Sequence, residues 1–125
     1  EYGWPWYTKM VGPRLHIHPP IQTAVLQVED YNFPGMDRFA KRVLTTEEWY
    51  EFQAPLSDQL KYLWSVDEKT CKPNVVWAEM HIEGKGMVAF HPISWYQEHD
   101  GGRAFYTALG HSSATYRDAI FLHHV

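Results

Sequence analysis

The sequence lacks the charge clusters and long apolar runs that mark several large protein classes. No run of lysine and arginine exceeds two residues, and the formal net charge is −4 with the eight histidines neutral. Nucleic-acid-binding proteins carry clustered positive charge on one face, so nucleic acid is excluded as a partner. No apolar run approaches the roughly 20 residues that a transmembrane helix requires, so no membrane span is expected.

Motifs for covalent catalysis and cofactor binding are also scarce. Cys71 is the single cysteine, so it has no internal disulfide partner and neither marks nor excludes an oxidising compartment. No Gly-x-Ser-x-Gly motif occurs and no elbow surrounds Cys71, which argues against a covalent nucleophile. The Gly84-x-Gly86 pattern is too short to indicate a phosphate-binding loop. The cofactor is therefore left open, and so is the compartment, because the chain starts at Glu1 with neither a leader nor an initiating methionine.

Aromatic residues are abundant. Six Trp, eight Tyr and six Phe make up 16% of the 125 residues, in a composition that is otherwise 45% hydrophobic and 21% charged. These values are typical of one soluble globular domain. A buried Trp or Tyr needs a polar partner for its N–H or O–H group, so such residues often lie at half-wet clefts, including those that bind sugars. An aromatic core explains most of the same residues and is the favoured interpretation for any single ring.

The patterning predicts about five strands and few helices. Proline suits the first turn of a helix, so a short helix is expected over Pro5–Val11. Residues 68–90 favour an irregular excursion or a hairpin with a strand-like Val75–Trp77, and Arg42–Leu44 is expected to end a helical turn. The expected strands are Thr23–Asp30, Thr46–Phe52 (with a capped helix as the alternative), Leu60–Ser65 and Arg103–Leu109.

Arg103–Leu109 is apolar and aromatic on both faces, which predicts a central strand that is covered on each side. A terminal helix is expected from about Tyr116, and His123 and His124 at its end are expected to face solvent. So few helices cannot cover both faces of a sheet that contains a central strand. The sequence therefore predicts that the chain is a piece of a larger fold.

Ordered motifs along the chain carry a family resemblance. The segment His91–Tyr116 contains Pro-x-x-Trp, Gly-Gly-Arg, an aromatic strand, Leu-Gly-His and a final Tyr. Earlier motifs are Trp4-Pro5-Trp6-Tyr7, Val11-Gly12, His18-Pro19 and Glu48-Trp49-Tyr50-x-Phe52. Together these motifs resemble those of ThuA-like domains, in the right order and over nearly all of the chain.

The resemblance implies an α/β fold, namely the C-terminal portion of a class I glutamine amidotransferase-like (flavodoxin-like) three-layer sandwich. It implies that residues 1–125 form a single ThuA-like domain that lacks its N-terminal half, to be completed by a missing segment or by another copy in a homo-oligomer. The implied function is carbohydrate utilisation, with a small trehalose-type sugar or glycoside as the partner molecule and the reaction type left open. The alternative is a non-catalytic module that binds a carbohydrate or a partner protein.

His111 and Glu48 are the candidate catalytic residues. His111 follows the predicted strand at its C-terminal end, where α/β sheets place ligands, and an imidazole there can act as a general base or a metal ligand. The resemblance implies that it takes the position of a catalytic histidine in the amidotransferase relatives; the alternative is a structural histidine that bonds a backbone carbonyl. Arg103 lies eight residues away, more than about 20 Å along an extended strand, so a structural role is expected for it.

Four further side chains are candidates for substrate binding: His18, Tyr50, Trp95 and Tyr106. His16 and His18 point to the same side of an extended chain. Two imidazoles can bind a transition metal, but tight zinc sites usually recruit a third ligand, for which His81, His91 and His99 are candidates only if the fold brings them close. No metal ligands are therefore assigned.

Overall fold

In the computed structural model, which describes residues 3–125, an antiparallel five-stranded sheet organises the chain. Its strands lie in the order β3–β2–β5–β8–β9, and two small two-stranded sheets, β1–β4 and β6–β7, accompany it. The helices and strands of the described residues are, in chain order, α1 (Pro5–Val11), β1 (Leu15–Ile17), β2 (Gln22–Val28), β3 (Arg42–Glu47), β4 (Glu51–Phe52), β5 (Lys61–Asp67), β6 (Val75–Trp77), β7 (Ile82–Gly84), β8 (Pro92–His99), β9 (Gly102–Thr107) and α2 (Ala119–His124).

Three fully buried tryptophans form the centre of the core. They are Trp49, Trp64 and Trp95. Each indole N–H group has an acceptor, as a buried tryptophan requires. The acceptors are Gln22 O at 3.0 Å, His124 Nδ1 at 3.1 Å and Val11 O at 2.8 Å, respectively. The core interpretation of the aromatic residues therefore holds for these three.

Helix α1 has the predicted bounds, with a proline in its first turn. Its C-terminal end packs on β8, where the Gln97 side chain donates to Lys9 O and Met10 O at 2.7 Å. These bonds satisfy carbonyls that the end of a helix leaves without a partner. Gly12 follows with φ of 106°, and a Cβ there would lie 2.8 Å from Trp95 Nε1, so the close approach of helix and strand requires glycine.

Strand β9 lies at the border of the sheet and pairs with β8 alone among residues 3–125. The prediction of a strand within Arg103–Leu109 is confirmed, but the prediction that it is central is wrong. Its aromatic character has another cause, because its rings contact other rings on both faces of the sheet. Tyr106 stacks on Trp95 with ring centroids 4.3 Å apart, and Phe105 lies against Phe33 at 6.0 Å. Aromatic residues on both faces of a strand therefore indicate ring contacts on both faces. They do not indicate that the strand is hydrogen-bonded to a neighbouring strand on each side.

Two other elements differ from the sequence predictions. Arg42–Leu44 lies in β3 and not at the end of a helical turn. The expected strand over Thr46–Phe52 is interrupted after Glu47 and resumes as the short β4. Glu47, Glu48 and Trp49 are buried one after another, and residues 48–50 belong to no strand, so the chain leaves the sheet at this point.

The chain ends in the short helix α2, which begins three residues later than expected from Tyr116. The Asp118 side chain caps it by accepting from Ile120 N at 2.7 Å and Phe121 N at 3.4 Å. The prediction that His124 faces solvent is wrong, because its side chain turns into the core and is 7% exposed. Neither α1 nor α2 has the length and apolar character of a helix that crosses a membrane, and the same holds throughout residues 3–125.

Candidate functional site

Five side chains from four separate segments meet beside the ends of the strands. His18 follows β1, Glu48 and Tyr50 lie on the link between β3 and β4, Trp77 ends β6, and His111 follows β9. The contacts described below join all five into one group, here called the Glu48 cluster. Strand ends meet here because β1 pairs with β4 and the link after β3 runs directly into that pair.

The Glu48 carboxylate lies between two imidazoles. Its Oε2 atom is 3.0 Å from His111 Nδ1 and 3.6 Å from His18 Nε2. The Glu48 side chain is 11% exposed, whereas that of His111 is 49% exposed. Within residues 3–125 the buried Oε2 atom has no well-aligned hydrogen-bond donor, so both contacts are electrostatic in character. A sheltered carboxylate therefore faces an imidazole that is open to solvent.

Aromatic rings form the other sides of the cluster. The His18 ring is 5.2 Å from the Tyr50 ring and 5.0 Å, nearly perpendicular, from the Trp77 ring. Burial raises the pKa of the Tyr50 hydroxyl, and the negative charges of Glu48 and Glu47 and a hydrogen bond with Glu48 raise it further. The Tyr50 phenol is therefore protonated at neutral pH and acts as a hydrogen-bond donor.

The buried Glu47 carboxylate holds the cluster together from behind. Its Oε1 atom accepts from Gly110 N at 3.2 Å and from the Thr115 hydroxyl, and its Oε2 atom accepts from Glu48 N at 3.3 Å. These bonds tie the turn that carries His111 to the backbone of Glu48. Gly110 has φ of 110°, a backbone conformation that residues other than glycine rarely adopt, so the turn also depends on glycine.

Replacing Glu47 with alanine is expected to destabilise the protein by about 3 kcal/mol. The substitution leaves the half-buried Gly110 amide without its acceptor and reduces the partners of the buried Thr115 hydroxyl to Ser112 Oγ at 3.3 Å, and each lost bond of this kind costs about 1–3 kcal/mol. Thr115→Val is the matched variant, because it removes one donor and is expected to cost about 1 kcal/mol. Urea unfolding measures both values. A Glu47→Ala protein within about 0.5 kcal/mol of the wild type would show that these bonds do not hold the turn.

Four of the six candidate site residues lie in the Glu48 cluster, and two do not. Trp95 is 1% exposed and lies in the core with its indole bound to Val11 O, so it cannot stack on a ligand. Tyr106 stacks on Trp95 and lines a separate cavity of about 160 Å³ beside Tyr7 and Leu15. The family motifs made both residues candidates for substrate binding, but packing determines the positions of their side chains.

The histidine pair does not form as the extended chain suggested. His16 Nε2 lies 3.0 Å from Glu83 O and turns away from His18. The described residues contain no group of three or more histidine, cysteine, aspartate or glutamate side chains with the geometry to hold a metal ion. The second member of the cluster's imidazole pair is instead His111, which lies far from His18 in sequence.

Sequence reasoning missed Glu47 and Trp77. Glu47 directly precedes a candidate residue. Its burial and the three donors from which it accepts are visible only in the folded structure. Trp77 ends the strand-like segment Val75–Trp77. Of the two alternatives expected for residues 68–90, an irregular excursion or a hairpin, the structure has the hairpin, with Val75 paired to Gly84 and Trp77 to Ile82. No local signal places that hairpin against His18.

Comparisons with known proteins give one family. The profile of the ThuA family, described as trehalose utilisation, matches residues 1–125. No curated protein matches the chain. Among solved structures, the chain is similar to the crystal structure of a ThuA-like protein from Bacteroides uniformis, with a TM-score of 0.71 and 18% sequence identity. The match covers 94% of this chain and 46% of that one, so this chain spans less than half the length of the solved protein. The expected α/β fold class is confirmed.

Proposed function

Because the chain belongs to the ThuA family of trehalose utilisation, we propose that it contributes to an enzyme that processes a trehalose-type sugar or glycoside, with His111 and Glu48 as its acid–base pair. The observation that carries the proposal is the 3.0 Å contact between His111 Nδ1 and Glu48 Oε2. A half-exposed imidazole beside a sheltered carboxylate is a common arrangement for proton transfer.

The two nitrogens of His111 have different roles in this proposal. Nδ1 faces Glu48, which leaves Nε2 to exchange a proton with a sugar. When Nε2 takes a proton from the sugar, the imidazole becomes cationic, and the nearby carboxylate stabilises that charge. The proton then returns to the product or to water. Glu48 therefore compensates the charge of the imidazole, as a carboxylate does in other acid–base pairs.

The rings of the cluster supply the binding surface. Tyr50 offers a protonated hydroxyl, and Trp77 offers an aromatic face of the kind on which sugars stack. The same rings would serve a non-catalytic carbohydrate-binding module, which is the second candidate. The acid–base pair favours the enzyme, because a module that only binds does not need a carboxylate held against an imidazole.

The charges of the cluster favour an uncharged sugar. Burial is the main cause of the raised pKa of the Tyr50 hydroxyl, and the negative charges of Glu48 and Glu47 raise it further. The same negative field opposes the approach of a phosphate group. We therefore expect trehalose to bind more tightly than trehalose 6-phosphate, and isothermal titration of the full-length protein with each of them measures the difference. Tighter binding of the phosphate would contradict this assignment.

Replacing Trp77 with alanine is expected to weaken sugar binding about threefold to tenfold, because an aromatic contact contributes about 0.5–1.5 kcal/mol. Binding is measured by saturation-transfer NMR and titration in the full-length protein with trehalose and a panel of uncharged mono- and disaccharides. Trp4→Ala is the matched control, since Trp4 is exposed and stacks on Trp6 and Tyr7, outside the cluster. If no sugar of the panel binds, or if both variants bind like the wild type, the carbohydrate assignment is wrong.

A further inference from the structure

A second polar cluster lies directly behind Tyr50, centred on His91. The imidazole of His91 is 2% exposed and uses both of its nitrogens. Nε2 lies 2.9 Å from Tyr50 O, and Nδ1 lies 2.6 Å from Glu68 Oε1. Nothing in the acid–base chemistry of Glu48 accounts for this buried pair.

The geometry fixes the number of protons in the pair. A carbonyl oxygen only accepts, so Nε2 of His91 carries a hydrogen and donates it to Tyr50 O. Two lone pairs would repel at the 2.6 Å separation of Nδ1 and Glu68 Oε1, so a second proton lies between those atoms. The pair therefore holds one proton more than a neutral imidazole and an ionised carboxylate would, and its net charge is zero.

Backbone amides favour the ionised form of the Glu68 carboxylate, which leaves the shared proton on His91. Glu68 Oε1 accepts from Met87 N at 2.5 Å, and Oε2 accepts from Val88 N at 3.1 Å. A carboxylate that accepts backbone N–H groups is stabilised in its charged form. His91 is accordingly a buried imidazolium that donates to the carboxylate on one side and to the carbonyl on the other.

The loop that supplies these amides also binds a second carboxylate. Glu51 Oε2 accepts from Lys85 N at 2.9 Å and from Gly86 N at 2.7 Å. Four successive amides, from residue 85 to residue 88, thus point at two carboxylates of the protein itself. Gly86 has φ of 81°, and a Cβ there would lie 2.6 Å from Glu68 Oε1, so the loop requires glycine at this point. The short Gly-x-Gly pattern therefore binds internal anions.

The loop and the carbonyl are connected to two different aromatic members of the Glu48 cluster, Trp77 and Tyr50. The loop directly follows β7, whose partner strand β6 ends in Trp77, and Trp77 pairs with Ile82. The carbonyl belongs to Tyr50, whose ring lies 5.2 Å from the His18 ring, which the Trp77 ring also contacts at 5.0 Å. His91 and Glu68 thus connect the Tyr50 backbone to the hairpin that carries Trp77.

We propose that His91 and Glu68 form a positioning pair which, through their shared proton, holds the Tyr50 and Trp77 walls at the separation that a sugar requires. The existence of the shared proton is independent of the proposed function. The consequence for the sugar rests on that function. The two parts are therefore tested by different measurements.

The proton is tested by NMR of the full-length protein labelled with ¹⁵N-histidine. Both ring nitrogens of His91 are expected to carry a hydrogen at neutral pH, with a strongly downfield resonance for the Nδ1 proton. Glu68→Gln is expected to abolish that resonance and keep the Nε2 proton, which still donates to Tyr50 O. His91→Gln assigns the signals, and His123→Gln, at an exposed histidine of α2, is the control that leaves them unchanged. An unprotonated Nδ1 in the wild type would overturn the proposal.

Positioning is tested by exchange and by binding. His91→Gln is expected to speed hydrogen exchange of the Met87 and Val88 amides at least about tenfold, since their carboxylate acceptor loses its buried partner. For a sugar that the wild type turns over, KM is expected to rise about tenfold while kcat changes less than about threefold, which a merely structural loss would not produce. Unchanged exchange and unchanged KM would overturn the positioning role. Failure of every sugar to bind the wild type, with the shared proton and the exchange effect present, would refute the proposed function and leave the pair intact.

Discussion

Replacing Glu48 with glutamine is expected to lower kcat/KM of the full-length protein about 10²–10⁴-fold, the range that a positioned acid–base group contributes. Glutamine keeps the size of the side chain but removes the negative charge that lies 3.0 Å from His111 Nδ1. Without that charge, the imidazolium that forms during proton transfer loses its compensating partner. Sugar binding is expected to change far less, because the ring surfaces of Tyr50 and Trp77 remain.

The control for this variant is Glu98→Gln. Glu98 is an exposed carboxylate on β8 that lies opposite Arg103 in the sheet register, away from the Glu48 cluster. The same change of charge there is expected to leave turnover within about twofold of the wild type. Steady-state rates with the sugar that binds most tightly, together with melting curves, separate lost chemistry from lost folding. Equal rates for Glu48→Gln and Glu98→Gln would remove Glu48 from the mechanism.

Acidification from pH 7 to pH 4 is expected to remove about 3 kcal/mol of folding free energy through His124 alone. Burial lowers the pKa of His124 from 6.5 to about 4. The unfolded chain therefore binds a proton near pH 6.5, whereas the folded chain binds it only near pH 4. The contribution to stability is fully present above about pH 6.5 and is lost progressively as the pH falls towards 4.

Geometry supports the direction of this shift. His124 Nδ1 accepts from Trp64 Nε1 at 3.1 Å, so a proton on Nδ1 would break the bond that satisfies a fully buried indole. The Phe105 ring lies 5.2 Å from the imidazole and offers no hydrogen bond. The buried Nε2 atom has no hydrogen-bond partner within residues 3–125, so an added charge would find no compensation there.

Urea unfolding at pH 7, 5.5 and 4 tests the assignment. His124→Gln removes the titrating group, so the free energy of unfolding of this variant is expected to depend less on pH than that of the wild type, by about 3 kcal/mol over the full range to pH 4. His123→Gln is the neighbouring control and is expected to keep the wild-type dependence, because His123 is exposed. Carboxylates that titrate in all three proteins cancel in the comparison. Parallel curves for wild type and His124→Gln would refute the assignment.

Local patterns predicted the elements whose cause is local. The prolines predicted the short helix Pro5–Val11, and alternating burial of β2 follows the strand period in Gln22–Val28. The glycines and the Val-Val-Trp run favoured an irregular excursion or a hairpin within residues 68–90, and the structure has the hairpin. In each case neighbouring residues determine the backbone, so a short window of sequence contains the information.

Features that depend on distant contacts were not predictable in this way. The border position of β9 follows from which strands pair, and no window around Phe105 records that. The burial of His124 depends on Trp64, which lies 60 residues away. Trp95 matches its motif equally well as a core residue and as a binding residue, and only packing against Val11 and Tyr106 decides between them.

The residues of the candidate site show the same difference between local sequence patterns and distant contacts. His18, Glu48, Tyr50 and His111 stand in short motifs, and the structure brings these four together. Their catalytic and binding roles stay predictions. The groups that hold them, Glu47 and the His91–Glu68 pair, act through buried hydrogen bonds between segments that are remote in sequence. Such support is not visible without the fold.

The acid–base role of His111 with Glu48 is tested most directly by one comparison, the turnover and sugar binding of His111→Ala in the full-length protein. Turnover is expected to fall at least about 100-fold while the dissociation constant of the sugar stays within about threefold, because the side chain is half-exposed and the aromatic walls remain. Turnover that persists within about twofold of the wild type would contradict proton transfer at His111 and leave this cluster as a binding surface at most.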